Sequence, residues 1–427
     1  MDAPQAPRTD AAEPSRLARR LGVFDAVVIG LGAMLGAGVF VAFAPAAQAA
    51  GSGLLLGLVL AAAVAWCNAT SSAQLAARYP ESGGAYVYGR ERLGPLWGFL
   101  AGWGFVVGKL ASGAAMALAF AHYVAPAYAR PLAVAAVLVL TIVDYHGIQK
   151  TVLLTRAIVA TVLLALALVV VAALGGGTLE PARLLPDERL SAHGVLQAAG
   201  ILFFAFAGYA RLATLGEEVV DPRRTLPRAI PLALGITLVV YATVAVVALS
   251  AIGAPALAAA TAPLRAVVEA GRLPWVSPVV RAGAAVASLG VLLSLIVGVS
   301  RTMFAMAARG DLPRALAVVH PVHRVPHRAE LLVGAIVAVA AAMADLRTAI
   351  GFSSFAVLHY YAIANAAAWT LPAHERRWPR WLAGAGLLGC LLLATSLPPA
   401  AVAAGATVLG LGVGVHGLRL WRRWRAA

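Results

Sequence analysis

Four glycines inside one apolar run carry the first chemical signal. The segment Gly30-Leu31-Gly32-Ala33-Met34-Leu35-Gly36-Ala37-Gly38-Val39-Phe40 lies midway along the apolar residues 24–47. Each glycine in a helix costs about 1 kcal/mol relative to alanine, so four together predict backbone that unwinds. Unwound backbone at membrane depth is tolerated only where it lines a cavity. The N–H groups opening the second half-helix would then face a carboxylate. Close helix packing of the GxxxG kind is the competing reading, and spacing alone does not separate the two. No strand precedes the segment and its spacing is not G-x-G-x-x-G, which argues against a dinucleotide loop.

Five apolar runs later a second segment repeats the theme. Phe203-Phe204-Ala205-Phe206-Ala207-Gly208-Tyr209-Ala210-Arg211 sits in residues 194–215 and leads to Glu217-Glu218 and Asp221-Pro222-Arg223-Arg224-Thr225-Leu226-Pro227-Arg228. Paired short runs broken by glycine are the best sequence pointer to a midplane site; the alternative is an ordinary helix with aromatic packing. A third segment, Tyr79-Pro80-Glu81-Ser82-Gly83-Gly84-Ala85-Tyr86-Val87-Tyr88, reads as a Pro/Gly turn opening a short amphipathic helix.

Ionisable side chains at membrane depth are costly and point to function. Lys109 stands about thirteen residues into the run 96–126, roughly 20 Å deep at 1.5 Å per residue. That is past the centre of a hydrocarbon core about 30 Å thick. Gly108 and Ser112 beside it allow close helix approach, and Lys109 and Lys150 are the only lysines, against 31 arginines. A desolvated ammonium can release its proton whereas a guanidinium effectively cannot, which makes Lys109 a candidate for proton or ion coupling. The competing reading is a structural lysine bonded to helix-end carbonyls or snorkelling outward. Arg156 and Arg301, near run ends, are expected to snorkel. Arg211 is expected either to pair with Glu217 or Glu218 or to snorkel. His122, His359 and His416 read as structural residues near run ends.

A membrane enzyme would need a nucleophile–base pair, paired carboxylates or a metal cluster at depth. The runs hold almost no acid, Asp144 standing at an edge, and no histidine pair at helical spacing. No G-x-x-x-x-G-K-[ST] phosphate loop suggests ATP-driven transport. Cys67 and Cys390 lie within apolar runs as small core hydrophobes, without metal spacing. No enzyme activity, cofactor or metal is therefore expected.

The elements that must position these residues are membrane helices. Of 427 residues, 61% are hydrophobic and 12% charged, where a soluble domain carries about 25% charged. A span needs about 20 mostly apolar residues, and twelve runs qualify: 24–47, 52–76, 96–126, 131–145, 152–174, 194–215, 229–252, 279–306, 329–344, 347–371, 381–396 and 398–418. With the N-terminus inside, alternate connections hold 22 Lys and Arg on the inner side and 7 on the outer. The positive-inside bias thus sets both termini in the cytoplasm. The net charge of +15 follows from this bias and from anionic lipid; nucleic-acid binding would need a continuous basic patch. Met1 to Arg20 is polar with no apolar stretch, a cytosolic tail and not a cleaved leader.

Taken together, the glycine-rich first run, the Pro-Glu-Ser-Gly-Gly-x-Tyr loop, the Phe-x-Gly-Tyr to Asp-Pro-Arg-Arg-Thr-x-Pro-Arg stretch, and Arg301 through Arg309-Gly310-Asp311-Leu312-Pro313 resemble the amino acid–polyamine–organocation (APC) superfamily, in its order and spacing. The resemblance spans roughly residues 20–370. It implies an all-α polytopic fold of twelve transmembrane helices: a 5+5 inverted-repeat core with discontinuous helices 1 and 6, plus two accessory helices. The divisions would be a tail at 1–22, a ten-helix core at 23–371, accessory helices at 372–420 and a basic C-terminus at 421–427.

The implied activity is secondary active transport of an amino acid across the cytoplasmic membrane by alternating access. A small-molecule substrate and the lipid bilayer are the implied partners. In the family the substrate carboxylate meets helix 1 backbone, here Gly36, Ala37 and Gly38, and the amino group meets a carbonyl, here Met34. The helix 6 hinge maps to Phe204, Ala205 and Ala207, with Phe206 and Tyr209 at the pocket wall. Two departures matter. Ala210 stands where some members carry an acid, which points to a neutral substrate. Val162, beside Thr161, stands where some cationic-branch members carry a coupling lysine, which draws attention to Lys109. A cationic amino acid or polyamine transporter of the same superfamily, and a non-transporting sensor or scaffold, are the alternatives.

Overall fold

The computed structural model describes residues 21–79, 83–147, 152–187, 189–213 and 219–426. Pro80, Glu81, Ser82, Lys150, Glu217, Glu218 and residues 1–20 lie outside them, and with them the expected partners of Arg211 and most of the N-terminal tail. In chain order the helices are α1 (Val23–Met34), α2 (Ala37–Val41), α3 (Phe43–Ala50), α4 (Leu54–Arg78), α5 (Ala85–Leu93), α6 (Pro95–Val124), α7 (Ala129–Tyr145) and α8 (Val152–Gly175). They continue as α9 (Ala192–Phe206), α10 (Ala210–Ala213), α11 (Pro222–Ala259), α12 (Pro263–Glu269), α13 (Ser277–Ala308), α14 (His327–Met343), α15 (Leu346–Trp369), α16 (Arg380–Thr395) and α17 (Pro399–Ala426).

The physical reason for an all-helical chain is that lipid cannot satisfy backbone N–H and C=O groups, so each apolar segment satisfies its own. Among the described residues nine helical stretches are long and apolar enough to cross a membrane. The expected runs 329–344, 347–371 and 381–396 also fold as helices, α14, α15 and α16. Two of these are short, and α15 is diluted by Ser353, Ser354, His359 and Asn365. Helix α8 shows what faces lipid: Leu153, Leu154, Leu164, Val171 and Leu174 are all largely exposed. A water-soluble surface would not carry so continuous an apolar patch.

Helices α6 and α13 run along each other through the middle of the bundle, and α15 packs on α6, α16 and α4. Helix α4 lies against α11, and α7 against α14. Several polar residues at this depth are bonded inward. The Asn365 amide donates to Asn68 Oδ1 at 2.5 Å, and the free Cys390 thiol reaches the same oxygen at 3.3 Å, fastening α16 to the core. Helix α5 packs on α6 and α15, and α12 packs on α8, α11 and α13. The expected snorkelling of Arg156 takes the form of an ion pair with Asp25 at 2.5 Å, with the guanidinium over Phe24. His359 lies within α15, not at its end, and its Nδ1 donates to the Phe355 carbonyl at 2.8 Å.

Candidate functional site

The first run does unwind. Helix α1 stops at Met34; Leu35 (φ −75°, ψ 42°) and Gly36 (φ −87°, ψ −157°) are not helical, and α2 begins at Ala37. Beyond it, Ala42 N–H bonds Gly38 and Ala46 N–H bonds Ala42, so the helix carries on through α3. The break leaves carbonyls at the end of α1 and N–H groups at the start of α2 without helical partners. Packing and unwinding turn out to be one device. A Cβ on Gly38 would stand 2.7 Å from Ala205 Cα and 2.9 Å from its Cβ.

Of the expected second-hinge residues, Phe204 and Ala205 stay helical and Ala207 opens the break. Phe204, Ala205 and Phe206 are inside α9, and the helix tightens to a 3-10 turn only at Ala207–Tyr209 before resuming as α10. The alanine- and phenylalanine-rich sequence gives the chain no reason to leave the helix before Gly208. There a Cβ would collide with the Ala33 carbonyl and with Met34 N at 2.7 Å. The two hinges therefore touch backbone to backbone.

Between them lies a cavity of about 160 Å³ lined by Met34, Gly36, Gly38, Phe204, Ala205, Ala207 and Lys109 among others. This is the size of cavity that holds a benzene-sized molecule. Phe105, Met116, Val291 and Leu295 supply apolar wall, and Ser112, Ser294 and Thr302 supply hydroxyls. Arg211 and Arg301 also line it, and it extends to Gly83, just before α5. No carboxylate is among the described lining residues. Three expected residues fall outside the lining. Ala37 is buried, Phe206 packs on Tyr241 with ring centroids 5.1 Å apart, and Tyr209 stacks on Tyr361 at 4.8 Å.

Lys109 is 7% exposed, and its Nζ donates to the Ala207 carbonyl at 3.3 Å, so it caps the hinge at the turn of the 3-10 segment. Tyr361 donates to the same carbonyl at 3.2 Å. Beside them Ser112 and Ser353 hydroxyls meet at 2.6 Å.

Sequence reasoning missed Tyr241. From α11 its hydroxyl stands 2.5 Å from the Met34 carbonyl and 3.0 Å from the Ala205 carbonyl, one proton serving both hinges. One lone pair of Met34 is thereby engaged. A single tyrosine in the apolar stretch 238–249 was the available signal, because a buried phenol needs an acceptor.

Two motifs noted only for their order also meet. Asp311, 5% exposed, accepts from Tyr86 at 2.7 Å and Arg90 at 3.0 Å, and Arg419 reaches its backbone carbonyl at 2.6 Å. Burial pushes the Tyr86 phenol up to about 12, and Asp311 adds to the shift, so this donor keeps its proton at physiological pH.

The sequence profile of the amino acid permease family matches residues 25–374. A transporter of Mycobacterium tuberculosis is 64% identical over 408 residues, covering 95% of this chain and 92% of that protein. The branched-chain amino acid permease of Bacillus subtilis is 26% identical over 419 residues, covering 89% of this chain and 88% of its own. Human cationic amino acid transporter 4 is 29% identical over 383 residues, 83% of this chain and 60% of that one. With its apolar helices and these relatives, the chain is an integral membrane protein that belongs to the amino acid permease family of the APC superfamily.

Proposed function

We propose that this permease moves a neutral amino acid across the cytoplasmic membrane by alternating access, as a secondary active transporter. The observation that carries the reading is the cavity between the hinges: cationic at Lys109, apolar along Phe105, Phe204, Met116 and Val291, and lined by no carboxylate among the described residues. An α-carboxylate fits beside the unpaired N–H groups at the start of α2, near the Lys109 ammonium. The α-amino group fits against Met34, Ala205 or Ala207 carbonyls. A cationic side chain would meet the Lys109 ammonium, with no carboxylate among the described lining residues to offset it, and burying an unpaired charge is expensive. A relative named as a branched-chain amino acid permease favours an apolar side chain; one named as a cationic amino acid transporter keeps arginine in the test.

The proposed frame is twelve spans with both termini cytoplasmic, a 5+5 inverted-repeat core at 23–371 and accessory helices at 372–420. Support comes from pairs five spans apart packing on each other: α1 on the second hinge, α4 on α11, α6 on α13 and α7 on α14. On this orientation α5 and Asp311 lie at the cytoplasmic face, and Lys109 serves as the coupling residue, with protons the coupling ion.

The deciding experiment is uptake into proteoliposomes of leucine, alanine, arginine and putrescine. Saturable uptake of a neutral amino acid is expected. Uptake of arginine or putrescine alone sinks the substrate assignment. Absence of uptake and of ligand-induced stabilisation for every amino acid would favour a sensor or scaffold.

A further inference from the structure

A second and larger space lies on the flank of the bundle, away from the hinges. It is a cavity of about 590 Å³ between α6, α14, α15 and α17, lined by residues such as Leu110, Leu316, Ile336, Ala340, Phe352 and Ala404. We propose that this groove is a binding site for one acyl chain of an anionic phospholipid, with the headgroup at the α5 face.

Four observations carry the assignment. First, the groove is at membrane depth and almost purely apolar, with Thr348 its one polar side chain apart from the Trp103 indole, whose N–H already donates to the Val408 carbonyl at 2.9 Å. Water therefore finds no partners there. Second, the space exists because small residues face each other. Ala340 on α14 and Ala344 just past its end share the lining with Ala400, Ala401 and Ala404 at the start of α17. Helix α17 packs on α6 and α15. Third, the lining residues Leu332 to Ala344 of α14 cover about 18 Å at 1.5 Å per residue. One leaflet of hydrocarbon, half of a core about 30 Å thick, is about 15 Å deep, and the lining continues to Leu312, Pro313 and Leu316 at one end and to Thr348 and Ala400 at the other, so a single chain fits within the groove.

Fourth, charge marks one end. Arg328 lies one turn before Leu332 on α14, and Arg314 sits between the lining residues Pro313 and Leu316; both are exposed at the α5 face. At the far end Arg347 is held by Gln48 and the Ala258 carbonyl. A molecule with one anionic head and an apolar tail matches that asymmetry. A helix of a second copy, apolar along its membrane length, makes no use of it. The inference rests on the chain's being a membrane protein and is independent of which amino acid it carries.

The test uses the full-length protein, delipidated in detergent and titrated with phosphatidylglycerol or phosphatidylcholine of identical acyl chains, read by native mass spectrometry. The wild type should retain phosphatidylglycerol about thirtyfold better, as two arginines near an anionic group predict. Ala340→Phe with Ala404→Phe should remove retention of both lipids while leaving amino-acid-induced thermal stabilisation intact. Arg314→Gln with Arg328→Gln should abolish the headgroup preference but keep the tail bound. A diazirine-bearing acyl chain of phosphatidylglycerol should label peptides of α14 and α17, a measurement that needs no variant. Labelling elsewhere, undiminished retention in the filled variant, or cysteine cross-links between two copies across the groove in bilayers would each overturn the proposal.

Discussion

Gly38→Ala adds one methyl group at the point where the two hinges touch. Its Cβ would lie 2.7 Å from Ala205 Cα. Ordinary contact begins near 3.4 Å, so the backbones must part by about 0.7 Å. Overpacking of this kind costs about 1–3 kcal/mol. Alanine returns up to about 1 kcal/mol of helix propensity to α2, which leaves a net destabilisation of about 0–2 kcal/mol. Binding has no such compensation, because the displaced atoms are the ones that face the cavity. A loss of about 2 kcal/mol corresponds to roughly thirtyfold. The assay is amino acid affinity and uptake in proteoliposomes, alongside thermal unfolding. Gly235→Ala serves as the control, since a Cβ on Gly235 meets nothing within 4 Å; it should leave transport intact and raise stability by up to about 1 kcal/mol. Wild-type affinity and uptake in Gly38→Ala would refute the reasoning, as would a folding defect equal to the loss of binding.

Tyr241→Phe removes the proton shared by the Met34 and Ala205 carbonyls. Leaving buried acceptors unpaired costs about 1–3 kcal/mol, so substrate affinity should fall between about fivefold and a hundredfold; an unchanged affinity by calorimetry would show the bridge to be idle. Lys109→Gln keeps a donor to Ala207 but loses the charge. If Lys109 couples transport to protons, pH-driven accumulation should vanish in Lys109→Gln, →Ala and →Arg while counterflow exchange persists, and pH-dependent accumulation surviving in Lys109→Gln ends that assignment. Asp311→Ala leaves the buried Tyr86 hydroxyl without its acceptor and removes the partner of the part-exposed Arg90, and an unmade hydrogen bond of a buried group costs about 1–3 kcal/mol. The melting temperature should drop, which differential scanning fluorimetry would record.

What could be read from the sequence depended on the range of the force involved. Hydrophobicity acts on every stretch by itself, and every expected apolar run coincides with a helix. The glycine cost is local too, so Gly36 marked the first break correctly. Of the expected second-hinge residues only Ala207 lies in the break, whose position follows the contact of Gly208 with Ala33 and Met34 and nothing within Phe203–Phe206. Phe206 and Tyr209 were assigned to the pocket wall from a linear motif, but Tyr241 and Tyr361, far along the chain, draw them away from it. The partners of Tyr241 and Asp311 are not legible for the same reason: each side chain bonds across more than two hundred residues of sequence. Lys109 was legible because its cost at depth is paid wherever it packs.

The contact between hinges also limits how this chain can diversify. When two side chains clash, a smaller neighbour can restore the fit. Gly38 and Gly208 face backbone atoms of Ala205, Ala33 and Met34, and no substitution makes a backbone smaller. Those two positions are therefore closed to gradual change. Novelty in substrate choice has to enter through the walls, at Phe105, Met116, Val291 and Phe204, where one side chain can be traded for another while the hinge stays as it is.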